Sequence, residues 1–244
     1  SYAAGRDWND ERFKPYADKL VDSLAKDSEL SYYAGRDWSD ERFKPYADKL
    51  ADAVAKCYLA SSDVLHNWSD ERFKPYADKF ADALAENPRK CYEIGDSYSS
   101  DHVNIFGPED MIKKILKDIK ERFSLVADGL AKGLAKDPRL CYEAGKNWSD
   151  YNFSLVADKI SDALSDFVKR NPTEGYNAGM HWSNIKFSLV AVKLAEAIED
   201  PNLSYLAGKD WDYERFKLCA DTLAEAVAKD STVNYLGACR KWSD

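Results

Sequence analysis

Residues 36–50 read RDWSDERFKPYADKL, and residues 6–20 read RDWNDERFKPYADKL, thirty positions earlier and one substitution apart. The spacing decides the fold. Trp8, Trp38, Trp68, Trp148, Trp182, Trp211 and Trp242 mark the same point in successive copies, with Tyr98 standing in for the missing tryptophan. Steps of about thirty hold except in two places: an excess of about twenty residues maps to 102–121, and four residues are added near DFVKRNP before Trp182. A fixed period of this size predicts a solenoid, in which each repeat covers the apolar face of its neighbour.

Local signals place two helices in each repeat. Asn87-Pro88, Asp137-Pro138, Asn171-Pro172 and Asp200-Pro201 each supply a capping side chain followed by proline at the first helical position. The first helix carries Cys141, Ala144, Gly145 and Trp148 on one face. A second helix is expected to start at Lys14-Pro15, Lys44-Pro45 and Lys74-Pro75. In later repeats the serines of Ser124-Leu125, Ser154-Leu155 and Ser188-Leu189 are expected to cap it at the same column. Tyr46, Ala47, Leu50, Ala53 and Val54 form its apolar stripe.

This helix-turn-helix repeat resembles the tetratricopeptide and SEL1-like families. Cys141-Tyr142-Glu143-Ala144-Gly145 stands where those families carry Trp-x-x-Leu-Gly, Trp148 where they carry a tyrosine, and Leu134-Ala135-Lys136-Asp137-Pro138 where a repeat closes. The likeness covers nearly the whole chain, with repeats shorter than the usual thirty-four residues. It implies antiparallel helix pairs stacked with a right-handed twist, the first helices lining a concave binding face. The expectation is an all-α fold: one right-handed α-solenoid domain over 1–244, with about seven antiparallel helix pairs and a final unpaired helix at 231–244.

Composition narrows the class. Of the 244 residues 45% are hydrophobic and 13% aromatic, ample for a core. The net charge of −8 and the pI near 5.1 oppose nucleic-acid binding. No apolar run suits a membrane span and residues 1–20 do not read as a signal peptide, so a cytoplasmic location is expected. Five cysteines without CxxC spacing read as reduced packing residues, with no metal or cofactor implied. A charged fraction of 32% without glutamine leans towards a thermophilic source.

The tryptophan column and the column of Phe13, Phe43, Phe73, Phe123, Phe153, Phe187 and Phe216 read as inter-helix packing. Gly5, Gly35, Gly95, Gly145, Gly179 and Gly208 recur inside helices, where glycine costs up to about 1 kcal/mol, so a close approach must require them. Leu65 and Cys239 break that column, and wider packing is expected there. The Trp-Ser-Asp triplet has no histidine repeating with it, so Ser39 and Asp40 read as turn residues rather than catalytic ones. Asp18, Asp48, Asp78, Asp128, Asp158 and Asp221 read as helix-start charges or inter-helix hydrogen-bond acceptors.

Candidate binding residues come from the column of Tyr2, Tyr32, Tyr92, Tyr142, Tyr176 and Tyr205, followed four residues later by Arg6, Arg36, Asp96, Lys146, Met180 and Lys209. By the resemblance both positions face the groove. Tyr32, Arg36, Tyr92, Tyr142, Lys146, Tyr176, Tyr205 and Lys209 are therefore the expected contacts for a protein or peptide with acidic groups. The competing reading pairs Arg36 with Asp40 and Lys146 with Asp150, and packs the tyrosines between repeats.

In the insertion Met111, Ile112, Ile115, Leu116, Ile119 and Phe123 have helical spacing, opposite Lys113, Lys114, Lys117 and Lys120. The segment is expected to continue into the next helix or to break at Ser124, and to cover exposed core, close over the groove or dock a partner through Met111, Ile112, Ile115 and Ile119. The function expected is a non-enzymatic interaction scaffold without membrane contact. Self-association, by end-to-end stacking or through the insertion, is the alternative, because both ends fall mid-pattern. An enzyme built around His102, Asp101 and a cysteine is the third reading.

Overall fold

A computed structural model of the chain describes residues 1–99 and 109–229. Every regular element among them is helical. By contacts the chain forms two compact units, Ser1–Ile94 with Ile105–Gly133, and Gly95–Asn104 with Leu134–Asp244. The expected final helix at 231–244 lies outside the described residues.

The first helices of the repeats are Tyr2–Asp7, Ser28–Asp37, Tyr58–Asn67, Pro88–Ser97, Pro138–Asn147, Pro172–His181 and Pro201–Asp210. Asp27, Asp137 and Asp200 cap three of them by accepting backbone N–H bonds two and three residues on. Each helix with a described C-terminus ends at its tryptophan, which turns extended while its N–H still bonds the carbonyl four residues back, as Trp38 does with Ala34. One further residue then caps the second helix: Asn9, Ser149, Ser183 and Asp212 each accept the backbone N–H three residues on. Two linking residues fold the chain back on itself, so the paired helices pack as neighbours. Within each unit, first helices also pack on first helices and second helices on second helices.

The start of the second helix lies five to six residues before the proline. In the first three repeats it begins at Asp10, Asp40 and Asp70, passes through a single 3-10 turn at Lys14–Tyr16, Lys44–Tyr46 and Lys74–Tyr76, and resumes at Ala17, Ala47 and Ala77. Proline marks an internal joint, since it removes one N–H from the ladder and the tighter turn absorbs the defect. The later serines are not N-caps. Ser124, Ser154 and Ser188 donate to the carbonyls of Glu121, Tyr151 and Ile185, three residues back.

From Glu109 the inserted segment runs without a break into the helix that follows, giving Glu109–Leu134, 26 residues long. Its C-terminal half buries Phe123, Val126, Leu130 and Leu134. A Cβ on Gly129 would stand 2.4 Å from the Ala81 carbonyl oxygen, so glycine lets this helix lie against the backbone of Ala77–Leu84.

The glycines of the first helices answer to the tryptophans. A Cβ on Gly5, Gly35, Gly95, Gly145 or Gly179 would stand about 2 Å from the indole of Trp38, Trp68, Trp148, Trp182 or Trp211. The close approach is therefore that of a side chain lying flat on the helix, in the space a methyl group would fill. Trp38, Trp68 and Trp211 donate Nε1–H to the carbonyls of Tyr2, Tyr32 and Tyr176. Leu65, where the glycine column breaks, is buried rather than left loose. Cys239 lies outside the described residues. Cys91 and Cys141 donate to the carbonyls of Leu84 and Leu134, as Ser31 does to Leu24, and the Cys141 thiol is pushed up to about 12 by burial. Among the described residues no cysteine forms a disulfide.

Candidate functional site

The strongest polar pattern is one that sequence reasoning missed. Arg42, four residues past the tryptophan position, reaches back one repeat and donates to the carbonyls of Gly5 and Trp8 at 2.5 and 2.6 Å and to the Asp10 carboxylate at 2.9 Å. Arg72 does the same to Gly35, Trp38 and Asp40, and Arg122 to Leu65, Trp68 and Asp70. In the second unit Arg215 bonds Gly179, Trp182 and the Asn184 side chain. Lys186 there bonds the Trp148 carbonyl and Asn152 the Gly95 carbonyl. These carbonyls end the first helices and lack helical partners, so the fork of the guanidinium satisfies two acceptors across a repeat boundary. Arg42, Arg72, Arg122 and Arg215 also lie over the rings of Phe13, Phe43, Phe73 and Phe187. The signal was in the Glu-Arg-Phe triplet, whose arginine recurs with the phenylalanine beside it.

The aspartate column supplies inter-helix acceptors. Asp18 accepts from the Tyr46 hydroxyl at 3.0 Å, and burial with a hydrogen bond to Asp48 lifts the Tyr76 hydroxyl to about 12.

The tyrosines expected on the binding face divide between packing and surface. Tyr32 and Tyr142 are buried; Tyr142 lies between Phe167 and Trp182, and burial followed by a hydrogen bond to Glu174 raises its ionisation well above the ordinary value. Tyr92, Tyr176 and Tyr205 are half-buried. The Tyr2 hydroxyl donates to Asp37, and Tyr176 to Asp210 at 3.0 Å, so these tyrosines also join one repeat to the next.

The basic heads remain at the surface. Arg36 stacks over the rings of Tyr32 and Tyr33 and pairs with the adjacent Asp37 at 2.6 Å; Asp40, its expected partner, is taken by Arg72 and Lys44. Arg6 with Asp7 and Lys209 with Asp210 repeat the adjacent pairing. The Arg36 hydrogen bond holds the Asp37 carboxyl below the usual range. Lys146 is exposed and is followed by Asn147 rather than an aspartate. Within each unit the first helices thus carry half-buried tyrosines beside basic heads, and those heads are largely balanced by neighbouring acids.

In the insertion helix Met111 is exposed, while Ile115, Leu116 and Ile119 are half-buried; the Ile112 side chain lies outside the described set. Glu121 pairs with Lys74 at 2.6 Å. His102 and Asp101, on which the enzymatic reading depends, lie outside the described residues. His66 is held below its ordinary value by desolvation. No group of three or more His, Cys, Asp or Glu residues suited to a metal occurs among the described residues. No described helix is long and apolar enough to cross a membrane. No family model, no curated protein and no solved structure matches the chain.

Proposed function

We propose that the chain is a non-enzymatic scaffold, built from shortened and degenerate relatives of tetratricopeptide and SEL1-like repeats, that binds a protein or peptide along the face of its first helices. One observation carries this reading. Arg36 presents an exposed guanidinium stacked on two tyrosines at the surface of a helix whose other contacts hold the fold together. A guanidinium held in this way has lost little freedom that binding must still remove, and its fork suits a carboxylate. Lys146 and Lys209 extend the basic character in the second unit. Because Asp37 and Asp210 already answer two of these heads, an incoming acid must exchange with them, which favours a modest, salt-sensitive affinity.

The test is fluorescence anisotropy with labelled acidic, neutral and basic peptide pools, on the wild type and on Arg36→Ala/Lys146→Ala/Lys209→Ala. Preference for acidic peptides, weakened about tenfold or more in the variant, is the expected result. Equal binding of all pools, or binding indifferent to the three substitutions, would overturn it.

A further inference from the structure

In most repeats the outward side of the second helix carries an acidic residue three places past the tryptophan position and another seven places further on: Glu11 and Asp18, Glu41 and Asp48, Glu71 and Asp78, Glu214 and Asp221. In the helix Asn184–Ala197 these two columns are Ile185 and Val192, and Leu189 lies between them. All three are exposed, at 56%, 50% and 39%. Their spacing of four and three places them in one stripe. Leu218, 47% exposed on the neighbouring helix Tyr213–Ala228, and Tyr151 on the other flank widen the stripe into a patch within the second unit. Two acids have become aliphatics on one helix face, and the core does not require it, since both side chains point outward.

We infer that this patch is a self-association surface, covered by the same patch of a second copy of the chain about a two-fold axis near Leu189. Three features of the surface select a second copy. An antiparallel pairing of the helix with itself sets Ile185 against Val192 of the other copy and Leu189 against Leu189, so the stripe is complementary to its own two-fold image. The same pairing brings the acidic end of the stripe, Glu196, Glu199 and Asp200, towards the N-terminal end of the other copy's helix, whose first amides carry partial positive charge. The rim is of mixed sign, with Lys193 paired to Asp162 at 3.0 Å, so a like surface is not repelled. With roughly 150–200 Å² for a full side chain, the exposed fractions leave on the order of 400 Å² of apolar surface per copy. That is the size of the largest apolar patch on a typical protein, which is often functional, and a rim of similar extent would bring two copies to the area of a standard interface.

The other repeats supply the test variant. Ile185→Glu with Val192→Asp restores the residues found in the same columns at Glu214 and Asp221, so the helix is expected to fold unchanged. Sedimentation equilibrium from low micromolar to near-millimolar protein should show a monomer–dimer equilibrium for the wild type. The double variant should be weakened at least about tenfold, with the same helicity and melting temperature. A single cysteine at Leu189→Cys, compared with the unsubstituted chain, should add a chain-to-chain cross-link with a short bismaleimide. A wild type that stays monomeric throughout would overturn the inference and leave the patch to another occupant. A dimer equally strong in the double variant would overturn it as well, by locating the contact elsewhere. Neither outcome bears on peptide binding, which reads different residues.

Discussion

The Cζ2 atom of Trp68 occupies the space that a side chain on Gly35 would fill: a Cβ built there stands 2.0 Å away. At five junctions one repeat meets another as a flat indole on a bare helix surface, and in this pair the glycine and the tryptophan are one feature thirty-three residues apart in sequence. Gly35→Ala should destabilise the chain by about 1–3 kcal/mol in urea unfolding, through overpacking. The sign is informative, because glycine to alanine in an open helix stabilises by roughly 0.5–1 kcal/mol.

Arg72 closes the same junction from the polar side. Its replacement by alanine leaves the Gly35 and Trp38 carbonyls without this donor, and the expected loss is about 2–3 kcal/mol. Arg72→Lys should fall between, since Lys186 shows a lysine in this column bonding the Trp148 carbonyl. Thermal denaturation of the three proteins side by side orders them.

Trp182 differs from Trp38, Trp68 and Trp211. Its Nε1–H is buried without a partner, whereas that of Trp68 donates to Tyr32 at 3.0 Å. It meets Gly145 through Cη2 and the far edge of the ring, where Trp68 uses Cζ2 and Cε2. Phe167, from the four added residues, packs on Tyr142 and Tyr142 on Trp182. Trp182→Phe should accordingly cost less than Trp68→Phe by about 1 kcal/mol, because only the second removes a hydrogen bond. Chemical denaturation of both variants measures the difference.

Acid should unfold the chain by releasing its junctions. Hydrogen bonds from Arg42, Arg72 and Arg36 hold the carboxyls of Asp10, Asp40 and Asp37 below the usual range. A carboxyl with a depressed folded value contributes stability that is complete above its unfolded value of about 4 and is lost as pH falls through the folded one. The melting temperature is therefore expected to change little from about pH 5 to 7 and to drop below about pH 4. Asp40→Asn should lower it at neutral pH and make the acid limb shallower. A melting temperature equally high at about pH 3 and pH 7 would contradict this account.

Tyr142 shows how spacing alone leaves the binding-face and packing readings both open. Its position four residues before Lys146 is the same as that of Tyr32 before Arg36, and sequence assigns all four to one face. Helical spacing groups residues by direction, but it does not say how far a neighbouring helix extends over them. Phe167 and Trp182 cover the Tyr142 ring, while Lys146, one turn on, stays in solvent. Proline at Lys44-Pro45 was misread for a related reason. Proline suits a helix start and an internal 3-10 turn equally, and the extended Trp38-Ser39 step, after which the helix begins at Asp40, decides between them.

The period of thirty, the capping residues before the helix-starting prolines and the apolar stripes at helical spacing were enough to determine an all-α fold of paired helices, because these are local properties written at fixed spacing. Which carbonyls Arg42, Arg72, Arg122 and Arg215 would bond, which tyrosines would be covered, and that Ile185 and Val192 would stand in solvent were decided only when the helices packed. Each of those outcomes depends on what the adjacent repeat brings within a few ångströms, and a single repeat read along the chain does not contain that distance.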